Sequence, residues 1–175
     1  MRFSPLNPAK MSQATLAPRR AIAAGSVKVV AVMSLAVASL AGCSQIVTLD
    51  AAPDSNNPKC AAITVRLPDT IESFAARDTD AQATGAWGTP SAVIIRCGLP
   101  EVKVSALKCV TAGGVDWLVD PTQAPSYRFI TFGRNPATEV IVDSKRASGV
   151  SALEALAPAV LSGAKADKVC TVLAN

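Results

Sequence analysis

The chain contains no histidine. This removes the commonest general base at neutral pH, and with it Ser-His-Asp and Cys-His nucleophile sites and histidine-ligated metal sites. Aromatic residues are scarce as well, with two Trp, one Tyr and four Phe in 175 residues. No Cys-x-x-Cys spacing occurs, so a zinc site would need four scattered thiolates in an oxidising space, and no metal or cofactor is expected. Nor is there a long membrane-spanning run. The apolar stretch over residues 29–41 is 13 residues long, about 20 Å as a helix against a bilayer core of about 30 Å. It reads as the h-region of a signal peptide.

What is present begins with that leader. Arg2, Lys10, Arg19, Arg20 and Lys28 form a positive n-region, with Met11 as an alternative start to Met1. The leader ends in Leu40-Ala41-Gly42-Cys43, the pattern cut and lipidated in bacterial lipoproteins. Small residues before the thiol let it be presented at the membrane face, where a diacylglyceryl group is attached before cleavage. We therefore expect residues 1–42 to be a signal peptide and Cys43 to be the lipidation site. The membrane is then a partner through this anchor, and the location is the extracytoplasmic face of the cell membrane. At about 0.8 kcal/mol per buried methylene, two or more acyl chains hold a protein stably without a second signal.

The charge balance changes once the leader is removed. All five of those basic residues precede Cys43 and no Asp or Glu does, so subtracting five from 17 leaves 12 basic against 13 acidic residues. A near-neutral cargo with no basic stripe excludes nucleic acid as a partner. With Cys43 assigned to lipid, four cysteines remain, an even number that implies two disulfides in an oxidising compartment and permits three connectivities. We expect Cys97 to pair with Cys109, closing a small loop, and Cys60 with Cys170, tying the ends of the domain.

Residues 43–58 are short and polar in their second half and read as a flexible tether, leaving 59–175 as a single domain. Pro58 suits the first turn of a helix through Cys60 and Ile63, stopped by Pro68. Asp69 or Thr70 would cap a second short helix carrying Ile71, Phe74 and Ala75, and residues 79–89 read as loop. Strands are expected at 91–97, 115–119, 127–132 and 138–142, where Val, Ile and aromatic residues concentrate, with Gly133-Arg134-Asn135-Pro136 as a hairpin turn. Ser151 and Glu154 form a capping box for a closing helix that Pro158 should kink or divide. The sum is a disulfide-bonded α+β domain: a small antiparallel sheet of about four strands in meander order, with helices packed on one face.

Candidate chemistry is thin. Ser-x-x-Lys occurs at Ser105–Lys108 and Ser162–Lys165 without its companion motifs, in a domain too small for that enzyme fold. Asp116 and Asp120, four apart in a strand, would sit about 13 Å from each other, too far for a glycosidase pair. Trp87 and Trp117 could offer a platform to a sugar or lipid, although core packing is the simpler role. Arg96, Arg128 and Arg134 could grip an anion, although solvated strand charges are the simpler reading. Arg96, Asp116, Trp117 and Arg134 are kept as candidate ligand-binding residues, and no residue is assigned as catalytic.

At Arg96-Cys97-Gly98-Leu99-Pro100, Gly114-Val115-Asp116-Trp117 and Phe132-Gly133-Arg134 with Glu139-Val140, the chain resembles an uncharacterised actinobacterial lipoprotein family, the domain of unknown function numbered 3515. The likeness spans about Cys60 to Val160, and Gly113 stands where the pattern leads one to expect Asn. It implies an exported, membrane-attached protein and brings no activity or catalytic residues. The expected role is a non-enzymatic binding or accessory module with an envelope-protein or cell-wall partner. Two alternatives are kept. One is a cell-wall carbohydrate or peptidoglycan-processing enzyme using Asp116, Glu139 and an Arg. The other is a lipid carrier with an apolar cavity between sheet and helices.

Overall fold

Two runs dense in β-branched residues, Val-Ile-Ile-Arg-Cys-Gly-Leu and Ala-Thr-Glu-Val-Ile-Val-Asp, form the central strand pair of the protein. In a computed structural model, which describes residues 45–171, they are β4 (Val93–Leu99) and β8 (Ala137–Asp143). The expected signal peptide and the lipidation site Cys43 lie outside the described residues. On one side β4 continues to β3 (Thr84–Trp87), β2 (Phe74–Arg77) and β1 (Thr70–Ile71). On the other, β8 continues to β7 (Ser126–Thr131), β6 (Val115–Asp120) and β5 (Lys108–Ala112). All eight strands are antiparallel to their neighbours.

Two helices complete the fold, α1 (Pro58–Thr64) and α2 (Gly149–Leu161). Asn57 caps α1 by accepting the Lys59 N–H, with Pro58 at the first helical position where its missing N–H is harmless. Ser148 caps α2 through the Ser151 N–H, three residues before the cap expected at Ser151. Pro158 does not divide α2, which runs on to Leu161. The residue is exposed, so its ring meets solvent on the outer side of the helix.

The expected fold is overturned: the sheet has eight strands rather than about four, and it is not a flat sheet beneath a helical layer. Helix α2 touches both edge strands, β1 and β5, together with β6 and β8, so the sheet curls around it. The short helix expected near residues 69–75 is β1 and β2, and the loop expected over 79–89 contains β3. Inside the curl, Trp87, Val93, Ile95, Val115, Trp117, Val140 and Val142 meet Leu153, Leu156 and Val160 of α2. Each such side chain contributes about 1.5–3 kcal/mol when fully buried. Trp87 also donates its indole N–H to the Pro68 carbonyl at 2.9 Å.

The four cysteines pair, but not as expected. Cys60 bonds to Cys97, tying α1 to β4 with a Cα separation of 5.5 Å, and Cys109 bonds to Cys170, tying β5 to the C-terminal segment at 5.9 Å. Cys97 could not reach Cys109. Between them lie β8, β7 and β6, about 19 Å at 4.8 Å per strand step, whereas bridged Cα atoms stand about 4.4–6.8 Å apart. Strand register also points Cys97 into the core while Cys109, opposite Leu118, faces outward.

Nor is the stretch expected to be a tether free of the domain. Val47 forms a parallel bridge with Thr79, its N–H donating to the Asp78 carbonyl at 2.9 Å. The Leu49 N–H donates to Asp80 Oδ1 at 2.9 Å, and the Asp54 N–H donates to the Gly98 carbonyl at 2.9 Å. Ala52 and Ser55 are buried. Polar composition suggested solvation, but here most side chains stay exposed while the main chain docks. Gly98 makes this docking feasible. Its φ is +114°, and a Cβ there would stand 2.5 Å from the Ser55 nitrogen.

Candidate functional site

Strand alternation gives the sheet an outer face as well as a core face. Arg96 stands opposite Glu139, Glu139 opposite Ile130, and Ile130 opposite Leu118, so one row crosses from β4 to β6. Ile94, Ile141 and Arg128 form the next row. A carboxylate in the middle of two apolar rows, with only 1% of its side chain exposed, needs charged partners. Glu139 has two. Arg96 donates from Nε to Oε1 at 2.6 Å and pairs through Nη2 with the same oxygen, while Arg128 Nε donates to Oε2.

The two guanidiniums are themselves tethered. Arg96 Nη1 donates to the Asp50 carbonyl at 3.2 Å, which ties the docked N-terminal segment to the same cluster. Arg128 Nη1 lies 4.0 Å from Asp120 Oδ2. Asp120 is held below the ordinary aspartate range by the Thr122 hydroxyl, then by the Thr122 N–H and the Arg128 charge. With two cations and two carboxylates the cluster is neutral. It floors a hollow of about 220 Å³ whose wall is Thr48, Leu49 and Asp50 and whose base is Ile94, Ile141, Arg96 and Glu139.

The residues singled out in the sequence do not come together in that hollow. Arg96 lines it, but Asp116 and Arg134 fasten the C-terminal segment elsewhere. Asp116 accepts from the Thr111 hydroxyl at 2.6 Å and from the Cys170 N–H at 2.8 Å. Arg134 is buried and donates from Nη1 to the Ala164 carbonyl, and the Asp167 N–H donates to the Gly133 carbonyl at 2.8 Å. Burial pulls the Arg134 guanidinium below its ordinary range, and the charge of Asp116 pulls it back up. Trp117 is fully enclosed in the core, as is Trp87, so neither offers a face to a ligand. Of the three arginines proposed to grip an anion, Arg96 and Arg128 converge on Glu139 and Arg134 does not.

These positions also separate the carboxylates that a cell-wall hydrolase would need. Asp116 and Glu139 lie two strands and two residues apart by register, about 12 Å, which exceeds the 6.5–9.5 Å typical of inverting pairs. Among the described residues no group of three or more His, Cys, Asp or Glu side chains could hold a metal ion. No helix among them is long and apolar enough to cross a membrane.

Two functional features escaped the sequence reading. One is the double clamp on Glu139, for which the signal was a charge inside each of three strand-like runs, Arg96, Arg128 and Glu139, a pattern that calls for cross-strand partners. The other is Asp80, whose carboxylate takes the Leu49 N–H and is held low first by that bond and then by Thr48. Gly113 also gains a reason. Its φ is +58° and a Cβ there would stand 2.3 Å from the Ala157 Cβ, so the Asn expected by resemblance would collide with α2.

Fold and site together define a small disulfide-bonded sheet domain in which Asp80 and Asp116 fasten the two end segments. The chain belongs to the family described as "Protein of unknown function (DUF3515)", whose match covers residues 21–169. No curated protein and no solved structure matches it.

Proposed function

We propose that this protein is a lipid-anchored lipoprotein of the actinobacterial cell envelope, held through Cys43 on the extracytoplasmic face of the cell membrane, and that it works as a non-enzymatic binding or accessory module. The observation that carries the non-enzymatic part is the occupation of the acidic groups. Glu139 is taken by Arg96 and Arg128, Asp116 by Thr111 and Cys170, Asp120 by Thr122, and Asp80 by Leu49. A general acid or base must be free to exchange a proton with substrate at hydrogen-bond distance. A carboxylate that both holds the fold and lies under two guanidiniums is poorly placed for that work.

The lipid-carrier alternative asks for an apolar cavity between sheet and helix, and the large side chains of Trp87, Trp117, Leu153 and Leu156 fill that space. The anchor is supported by the Leu40-Ala41-Gly42-Cys43 ending and the leader before it. Its envelope partner is a protein or a cell-wall polymer. The test of the non-enzymatic reading is incubation of the purified lipoprotein with peptidoglycan sacculi. Pelleted sacculi should retain the protein, and the supernatant should hold no muropeptides above the buffer control. Sustained muropeptide release that disappears in Glu139→Gln or Asp116→Asn would establish an enzyme instead.

A further inference from the structure

We propose that one end of the sheet, the end carrying Gln45, Ile46 and the Thr89–Ser91 turn, lies directly against the phospholipid headgroups of the membrane that holds the anchor. This rests on the reading of Cys43 as the lipidated residue. Where the folded body begins carries the argument. Arg77 Nη2 donates to the Gln45 carbonyl, Val47 bonds to Asp78, the Asp80 N–H donates to the Val47 carbonyl at 3.3 Å, and Leu49 bonds to Asp80. From Gln45 onward the chain is therefore part of the domain.

One residue, Ser44, separates Cys43 from Gln45, and two residue steps reach at most about 7 Å. That is close to the depth of one headgroup layer, since a bilayer of about 40–45 Å has a hydrocarbon core of about 30 Å. A domain on so short a leash cannot stand away from the surface, and the flexible spacer expected over residues 43–58 does not separate them.

Direction follows from the parallel bridge between Val47 and Thr79. Tracing back from Val47 to Gln45 moves alongside Thr79 to Arg77, toward the sheet end where β3 turns into β4. Gln45, Ile46, Arg77, Thr89, Pro90 and Ser91 line a hollow of about 400 Å³ there. The surface suits an interface. Ile46 is exposed at its rim and can enter the headgroup layer. Arg146 from the neighbouring β8–α2 turn lies over the Phe74 ring at 5.3 Å and donates to the Pro90 carbonyl at 2.5 Å, with Lys145 exposed beside it.

Carboxylates at this end each accept a main-chain N–H of a turn. Glu72 accepts the Ser148 N–H at 3.0 Å, Asp143 the Lys145 N–H at 3.1 Å, and Asp120 the Thr122 N–H at 3.0 Å. Glu72, Asp143 and Asp120 balance Arg77, Lys145 and Arg146, so this end is about neutral, and the short link to the anchor rather than net charge holds it at the headgroups. The opposite end, with the Gly113–Gly114 turn and the Gly133–Pro136 loop, faces away from the membrane.

The test uses the full chain, processed in a bacterial host, with an environment-sensitive fluorescent amino acid at Lys145 or, in a second protein, at Val104 near the far end. After reconstitution into phosphatidylcholine–phosphatidylglycerol vesicles, a headgroup-labelled nitroxide lipid is used as quencher. The probe at 145 should lose most of its emission and the probe at 104 little. Equal loss at the two sites, or the reverse order, overturns the seating. Mass analysis of Cys43 in the same preparation shows separately whether the anchor formed. Where it did not, the protein coupled through Cys43 to a maleimide phospholipid gives the same two outcomes, so loss of the anchor reading and loss of the seating remain distinct.

Discussion

Replacing Glu139 by Gln leaves two guanidiniums facing a neutral amide in the floor of the outer face. Wild-type Glu139 receives charge-assisted hydrogen bonds from Arg96 and Arg128, and bonds to charged groups contribute about 1.5–3 kcal/mol each. Three effects reduce the loss on substitution. Gln keeps the volume and still accepts one bond through its carbonyl. Arg96 and Arg128 are 31% and 36% exposed, so water screens their mutual repulsion. Against that, the amide NH₂ now points at one guanidinium and finds no acceptor. The expected net cost is about 3 kcal/mol, or about 10 °C in Tm for a domain of this size. Urea unfolding followed by circular dichroism measures it. A triple variant, Arg96→Met, Glu139→Met and Arg128→Met, should recover much of the loss, because removing a buried ionic group whole is far milder than orphaning one partner. A Glu139→Gln change smaller than about 0.5 kcal/mol, with an unaltered urea slope, would refute the clamp.

The two disulfides should differ in reducibility, since Cys60 and Cys97 are buried while Cys109 and Cys170 are half-exposed. Mild reductant followed by alkylation and peptide mass mapping should label Cys109 and Cys170 first; a native peptide linking Cys97 to Cys109 would refute the pairing. With sequence separations of 37 and 61, each bridge contributes about 4 kcal/mol on the chain-entropy model, so Cys170→Ser and Cys97→Ser should each lower the unfolding midpoint markedly. Gly98→Ala should cost more than about 2 kcal/mol because its Cβ meets the backbone of Asp54 and Ser55. Gly114→Ala, at φ +76° in open space, should cost about 1 kcal/mol, and equal effects in chemical denaturation would contradict the docking. Asp80 is held below its ordinary value of 3.8 in the fold. The unfolded chain then binds more protons between the two values, so the stability from Asp80 is complete above that value and is lost as pH falls through the lowered one. Limited proteolysis with an acid-active protease should show residues 45–57 released in the wild type only once the pH is below the ordinary value of 3.8, and at higher pH as well in Asp80→Ala. Strap release at the same pH in both proteins would dismiss Asp80 as the latch.

The half of the sheet built from β4, β6, β7 and β8 was legible because its strands are five or more residues long and rich in Val and Ile, which favour a pleated, half-buried surface. Strands β1 to β3 were not. They are two to four residues long and carry Ala, Gly, Thr and Arg, and their pairing is fixed by tertiary contacts that no local pattern announces. Pro58 marked α1 correctly, whereas α2 is capped by Ser148 because that serine, not Ser151, occupies the extended position before the first turn. The cysteine count implied two bridges, but which cysteines meet depends on strand order and facing, and both need the β4-to-β5 crossing to be known. Among the candidate residues, Arg96 lines the outer hollow and pairs with Glu139. Asp116 and Arg134, kept as candidate ligand-binding residues, bind the C-terminal segment instead. The docking of residues 45–57 was illegible because main-chain hydrogen bonds leave almost no trace in side-chain composition.

A lipid at Cys43, joined to a domain that begins almost at once after it, underlies both the proposed function and the membrane seating. Intact mass analysis of the protein extracted from membranes of an actinobacterial host tests this directly. The expected species starts at Cys43 and carries a diacylglyceryl group, with the four remaining cysteines oxidised. A chain that retains Met1 or Met11 at its start, with the Cys43 thiol open to alkylation, would contradict the anchor and the membrane seating built on it.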